Sequence, residues 1–554
     1  MNAEKLYEAI TLIGDDLIDE AAAYTPTKKK VIHWKRWTAL AACLVLVVGV
    51  GGGVFLGMFG GRGGNSGVGA GGSGADGGSS FMSYAGPIFP LTSTSDTEGI
   101  TAQRDITLDF APWVPTWLTN EEQTARNTGL TEEEYQQSLA RYNEWYPEGG
   151  RFETSDDILV TDTYTLSNST AEDKTVSVLY PFVSSLMDLD SFRPELTVNG
   201  TQAETELICG LYSGGFQGVL GSDDPNGTAN LSHPSTWTDY KALLSDGTYL
   251  KRAMGEPVDY SGIDVIVYEF TNAQGPEETK EIPNPSVRVT FDLDYDKTTV
   301  LSYGFHSGSF DPEAGKMGQG FSIPEAHSPN YGEPYCLIIL GDDVENMEIE
   351  GFVTGGWDTE NRLEEFHVDV TRSETDLDTI LRRVVRYIYD NNSWQYGDSL
   401  AVDFETYYVL FCDHLASYGI LAENGGAERY DTGWLSELSE VGAVDRVCYL
   451  ETSITVPAGE SITLSALMRK DASYDFYCAG TENQGVKGYE TATELGSTLT
   501  FTGQTAALED RGQIEIVRQN FGFDLSANIK SVELDPATEH YYLEVRRISD
   551  TESE

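Results

Sequence analysis

Three aspartates alternate in the stretch FDLDYD: Asp292, Asp294 and Asp296. Carboxylates at that spacing are the hard oxygen donors that calcium takes, and D-x-D-x-D opens an EF-hand loop. The glycine at position six and the glutamate at position twelve of such a loop do not follow here. A second donor set, Asp223, Asp224 and Asn226 in GSDDPNGT, suits a hard cation or a simple Asx turn. Calcium is therefore the one cofactor candidate, on these six residues. In extended geometry the first three carboxylates project from one face, which equally describes a solvated acidic stripe.

Other chemistry is poorly supported. HExxH, GxSxG, SxxK and GxxxxGK[ST] are all absent. The seven histidines are scattered. Asp413-His414 falls in an apolar stretch with no nucleophile motif beside it, which reads as a core or capping histidine rather than a catalytic one. Carboxylates are so abundant that no pair of them stands out for glycoside hydrolysis. No catalytic residue is assigned, and the expectation is a protein that is not an enzyme. Trp113 lies between two prolines and Trp117 follows the second in FAPWVPTWL, which reads as an extended segment. They either stack on sugar rings or, the favoured reading, seal a domain edge.

The six cysteines form no CxxC. Cys43 sits in an apolar run, and Cys336, Cys412 and Cys448 flank others, as buried free thiols do. Cys209 and Cys478 complete the set, and one or two disulfides are open to it in an oxidising compartment.

Positioning such residues is the work of the rest of the chain. Thr38 to Phe59 is 22 residues without a charge, about 33 Å as a helix, enough to cross a hydrocarbon core of about 30 Å. Lys28, Lys29, Lys30, Lys35 and Arg36 precede it and only Arg62 follows closely. The positive-inside rule then places residues 1–37 in the cytosol and the C-terminal part outside, with Trp34 and Trp37 at the interface. The span begins too late for a cleaved signal, so it reads as a signal anchor. Gly49, Gly53 and Gly57 make a small-xxx-small row, so a homodimer packed through the span is a candidate. Residues 60–80 hold 11 glycines and read as a flexible linker.

Ahead of the span, Leu6, Ile10, Ile13 and Leu17 form one apolar stripe on a helix over residues 1–25. A stripe that short cannot bury itself, so a cytosolic protein partner is expected. The run EKLYEAITLIGDDLIDEA, the basic patch, and WKRWTALAACLVLVV resemble the leaders of uncharacterised single-pass membrane proteins of low-GC Gram-positive gut bacteria, some with anti-sigma-factor-like heads. The resemblance covers residues 4–48 and implies a membrane-anchored envelope protein. Zinc-binding heads of that kind carry His and Cys ligands, whereas this head has only His33.

The whole net charge of −54 lies after residue 37, because six basic and six acidic residues cancel before it. Such a surface repels nucleic acid. With 11% aromatic residues and 40% hydrophobic residues overall, a core forms readily. Residues 81–150 read as irregular with one helix, opened by a Thr131–Glu134 capping box. From 151 to 372 alternation dominates: ILVTDTYTLSNSTAEDKTVSVLYPF, the Asn199-Gly200 hairpin, and Val287, Val289, Phe291, Leu293 and Tyr295 facing inward. Residues 373–440 switch to helical period, with Ile380, Leu381, Val384, Val385 and Ile388 on one side. Strands return over 441–554.

The expected fold is mainly β (α+β overall): an N-terminal amphipathic helix, one transmembrane helix, and an antiparallel β-sandwich ectodomain with a helical insert. The expected function is binding or sensing of an extracellular ligand at the cell membrane, with signalling through the cytosolic helix. A structural or adhesive surface protein and an envelope hydrolase using unidentified carboxylates are the alternatives.

Overall fold

A computed structural model describes residues 84–127, 130–211, 236–324, 335–355, 361–396, 400–417, 421, 435–475 and 483–548. The predicted head with its stripe Leu6, Ile10, Ile13 and Leu17, the span with Gly49, Gly53 and Gly57, and the linker lie outside the described residues. Among the described residues no helix is long and apolar enough to cross a membrane.

The protein is mainly β, with several sheets. Alternation explains the strands. In Ile158–Asn168 every second residue is buried, and the next strand, Lys174–Ser184, buries Val176, Val178 and Tyr180. These two strands part company. Ile158–Asn168 lies at the centre of a seven-stranded sheet in the order Ser531–Glu533, Thr500–Glu509, Ile100–Asp109, Ile158–Asn168, Ser461–Lys470, Glu195–Val198, Thr201–Gln202. Lys174–Ser184 joins Thr92–Ser93, Arg446–Val456 and Glu206–Cys209 in a four-stranded sheet. Another four-stranded sheet takes Tyr474–Asp475, Val486–Ala492, His540–Arg547 and Ile514–Gln519. All three contribute to one buried cluster, through Val160, Tyr180 and Leu543 among others.

The segment between them in the chain builds its own pair of sheets. Thr298–Tyr303, Tyr335–Gly341, Asp264–Gln274 and His367–Asp376 make one sheet of four. Ser307–Asp311, Lys316–Ser322, Ser286–Asp292, Glu345–Phe352 and Arg362–Leu363 make one of five. Phe270, Val289, Phe291, Phe321, Leu337 and Ile339 pack in a common cluster drawn from both. Cys336 and Ile338, on the opposite face of their strand, pack in the first cluster with Leu381, Val385 and Phe411 of the helices Leu377–Tyr396 and Phe404–Ser417. The unbroken apolar run YCLIIL is therefore a strand covered on both faces.

Three expectations need correction. Residues 81–150 contain a ten-residue strand, Ile100–Asp109, in the middle of the largest sheet. Its inward positions read Ile100, Ala102, Arg104, Ile106, Leu108, and the arginine hides the period. The linear division into β regions 151–372 and 441–554 around an insert 373–440 does not describe the sheets. Strands before residue 210 and after residue 445 hydrogen-bond to each other, because long crossovers bring Arg446–Val456 and Ser461–Lys470 back between earlier strands. The pairing is not purely antiparallel either, since Ile100–Asp109 and Thr500–Glu509 run parallel.

Candidate functional site

Thr116–Thr119 and Gly150–Glu153 pair as a two-stranded antiparallel ribbon in which Trp117 lies directly opposite Phe152. Two helices, Asn120–Ala125 and Glu132–Trp145, connect the strands. Each starts with a complete capping box, Thr119 with Glu122 and Thr131 with Glu134, so the start of each helix is fixed locally. The close pairing demands glycine at 150, where a Cβ would come within 2.4 Å of the Leu118 carbonyl oxygen.

Alternation sends Leu118 into the core and leaves Trp117 and Phe152 outside, 40% and 68% exposed. Their rings meet edge to face at a centroid distance of 5.1 Å. The Glu132–Trp145 helix buries no residue, and its last residue, Trp145, is exposed with its ring 5.8 Å from Tyr142. Around this surface Arg126 pairs with Glu153 at 2.7 Å, and Arg151 lies 5.3 Å over the Tyr146 ring. Single exposed apolar residues are ordinary, but two large exposed rings in contact across a ribbon make a small apolar patch.

Trp113 has a different fate from Trp117. It is 1% exposed, packed on Phe110 and Tyr489, and covered by the Arg547 guanidinium at 4.8 Å. Of the two tryptophans of FAPWVPTWL, one is core and one is surface, and the expectation of an extended segment needs correction at Ala111–Trp113, which is a turn of 3-10 helix, while Thr116–Thr119 is a strand.

The candidate calcium ligands of FDLDYD do not share a face. The strand ends at Asp292, and Tyr295 to Lys297 form a turn in which Tyr295 is only half-buried. Asp292 meets Lys316 at 3.1 Å and accepts a hydrogen bond from Asn346 at 2.8 Å. Asp294 accepts from the Asp296 amide at 3.0 Å and from Lys297 at 2.6 Å. These partners hold both carboxyls below their usual range: chiefly Asn346 and Lys316 for Asp292, and Lys297 for Asp294. Among the described residues no three acids, histidines or cysteines converge as a metal site. Asp223, Asp224 and Asn226 lie outside the described residues.

The Asp413-His414 pair sits in the helix Phe404–Ser417, with His414 buried and Asp413 reaching Arg252 at 3.2 Å.

Sequence reasoning missed a buried carboxylate pair. Val486–Ala492 and His540–Arg547 pair so that Glu490 faces Tyr542 and Gly488 faces Glu544, which puts Glu490 and Glu544 on one side of the sheet. Tyr474 lies over Gly488, where a Cβ would touch its ring at 2.2 Å, and donates its hydroxyl proton to Glu544 at 2.8 Å. Arg518 also binds Glu544, Tyr84 donates to Glu490, and His540 Nε2 stands 2.9 Å from Glu490 Oε1 with its ring stacked on Trp237 at 4.4 Å. Burial, with Glu544 and Glu490 nearby, pushes the Tyr474 phenol well up. Both carboxylates are buried and already engaged by donors. An acid–base pair acting on a glycoside needs open space between its two carboxyls. Here tyrosines occupy the neighbourhood, and the network joins the C-terminal strands to the segment at Tyr84.

No family model matches the chain, and no curated protein matches it.

Proposed function

We propose that this chain is a single-pass protein of the cell envelope whose acidic, β-rich outer part binds an extracellular ligand through the ribbon carrying Trp117 and Phe152. The apolar run 38–59 would anchor it, with the basic flank inside and the acidic remainder outside. On this reading the paired sheets form the sandwich of an ectodomain. The observation that carries the binding role is the exposed ring pair, set on a doubly capped, locally fixed element.

The best-fitting ligand class is a saccharide, because sugar rings present flat C–H faces that aromatic side chains cover without needing charge. The charge of −54 disfavours anionic partners such as nucleic acid. The striped helix with Leu6, Ile10, Ile13 and Leu17 would pass binding to a cytosolic protein, and Gly49, Gly53 and Gly57 would pair two copies in the membrane.

Purified full-length protein is expected to bind isolated Gram-positive cell-wall glycan. Truncation of a binding hot spot costs about 2 kcal/mol, so Trp117→Ala and Phe152→Ala should each weaken binding roughly 30-fold. Both residues are exposed, so stability should change by less than about 1 kcal/mol. Sedimentation with the glycan and a thermal melt of each variant measure the two effects. Binding that survives the double substitution would refute the assignment of the surface. Absence of glycan binding by the wild-type protein would refute the ligand class.

A further inference from the structure

The edge strand Glu206–Cys209 lies antiparallel to Arg446–Val456 with Cys209 directly opposite Cys448. Residues directly opposed in an antiparallel ladder have Cα atoms about 4.5–5.5 Å apart and side chains on the same face. That is within the roughly 4.4–6.8 Å separation a disulfide requires. Both are free thiols, Cys448 fully buried and Cys209 8% exposed at the sheet edge. The next residue confirms how tightly the chains meet: a Cβ on Gly210 would lie 2.0 Å from the Val447 carbonyl oxygen.

We propose that Cys209 and Cys448 are a cross-strand dithiol that an external disulfide, of the glutathione or protein type, oxidises to an intramolecular disulfide. The other described cysteines lack this placement. Cys336 is paired in register with Glu269 and Tyr303, and Cys412 lies on a helix beside Tyr408. Burial raises both of those thiols to about 12.

The dithiol is polarised. The Cys448 S–H donates to the Cys209 sulfur, and Arg446 and Arg193 add positive charge, so the Cys209 thiol is lowered. The same hydrogen bond and burial raise Cys448. Cys209, the more exposed of the two at the sheet edge as well as the lowered thiol, is the attacking sulfur, and the fully buried Cys448 is the resolving one. The Cys209 thiolate attacks one sulfur of the external disulfide, and the first thiol leaves with the Cys209 proton. The Cys448 sulfur then displaces the second thiol, which leaves with the Cys448 proton. Two electrons pass from the protein to the external disulfide, and one S–S bond forms where one is broken.

The bond would have a defined mechanical effect. The chain leaves the four-stranded sheet at Cys209 and returns to it at Arg446, so the disulfide staples the two stems of everything between, including the second pair of sheets and both long helices. It would also hold an edge strand of only four residues. Its occurrence in cells rests on the outward placement proposed above; its formation in the purified protein does not.

The test uses full-length protein treated with oxidised glutathione, then denatured, alkylated, digested and mapped by mass spectrometry. The expected result is a Cys209–Cys448 linked peptide, a chain lighter by two hydrogens, and alkylated Cys336 and Cys412. The melting temperature should lie about 5 °C above that of the reduced protein. Cys209→Ser should abolish the linked peptide and the rise while leaving the reduced melting temperature nearly unchanged. Recovery of Cys209 and Cys448 as alkylated or separately glutathionylated residues, or linked to other cysteines, would overturn the proposal. The mapping needs no variant, so a misfolded Cys209→Ser protein would not blunt it.

Discussion

Arg104→Ala is expected to destabilise the protein by about 3–5 kcal/mol, the cost of leaving one member of a buried ion pair alone. Arg104 meets Asp162 in a two-pronged contact, Nε to Oδ1 at 2.9 Å and Nη2 to Oδ2 at 2.8 Å, with both side chains fully buried. The same guanidinium donates to the carbonyl oxygens of Ala492 at 2.7 Å and Phe89 at 3.0 Å. Asp162 also accepts from the Tyr164 and Tyr180 hydroxyls, at 2.8 and 3.2 Å. One ionic centre therefore ties together strands of three sheets. Burial works against the arginine's charge, but the adjacent carboxylate outweighs it and holds the guanidinium above its ordinary pKa. Removing the arginine strands a carboxylate where water cannot reach it.

Removing both charges relieves that penalty. Arg104→Met combined with Asp162→Leu should therefore be less destabilising than Arg104→Ala alone. Urea unfolding followed by tryptophan fluorescence measures both. A cost under about 1 kcal/mol for Arg104→Ala would mean that the pair is not buried as described.

Phe291→Asp should lose about 4 kcal/mol or more, enough to unfold the five-stranded sheet, whereas Asp292→Ala should change stability by less than about 1 kcal/mol. The two positions are adjacent, but the strand turns them to opposite faces. Phe291 is buried among Val287, Val289, Met317 and Phe321. Asp292 is partly exposed, and its contacts with Lys316 and Asn346 are surface contacts of small net worth. Thermal melts of the two variants side by side read the difference, and equal losses would reverse the assignment of faces.

How much of this was legible in advance depended on whether the signal was local. Ile158–Asn168, Lys174–Ser184, the Asn199-Gly200 turn and the helix with Ile380, Leu381, Val384, Val385 and Ile388 all announce themselves by period or turn chemistry. Ile100–Asp109 did not, because a charged residue occupies its central inward position and the partner that makes it tolerable, Asp162, lies in another strand. Nothing near Trp113 and Trp117 distinguishes them. Tyr489 and Arg547, distant in the chain, decide which one is buried. Glu490 and Glu544 were lost among the other carboxylates, and Cys209 and Cys448 meet only through a pairing of strands far apart in the chain. The aromatic ribbon was half visible, since Trp117 stood out but Phe152 opposite it did not.

Ligand binding outside the cell requires that the β-rich part lie there. The direct measurement is proteinase K treatment of intact cells expressing the chain with different epitopes at its two ends. The expected result is loss of the C-terminal epitope, with the N-terminal epitope kept on a short membrane-bound fragment that includes residues 1–59. A C-terminal epitope protected in intact cells and destroyed only after lysis would contradict the outward placement, and with it the surface-binding function.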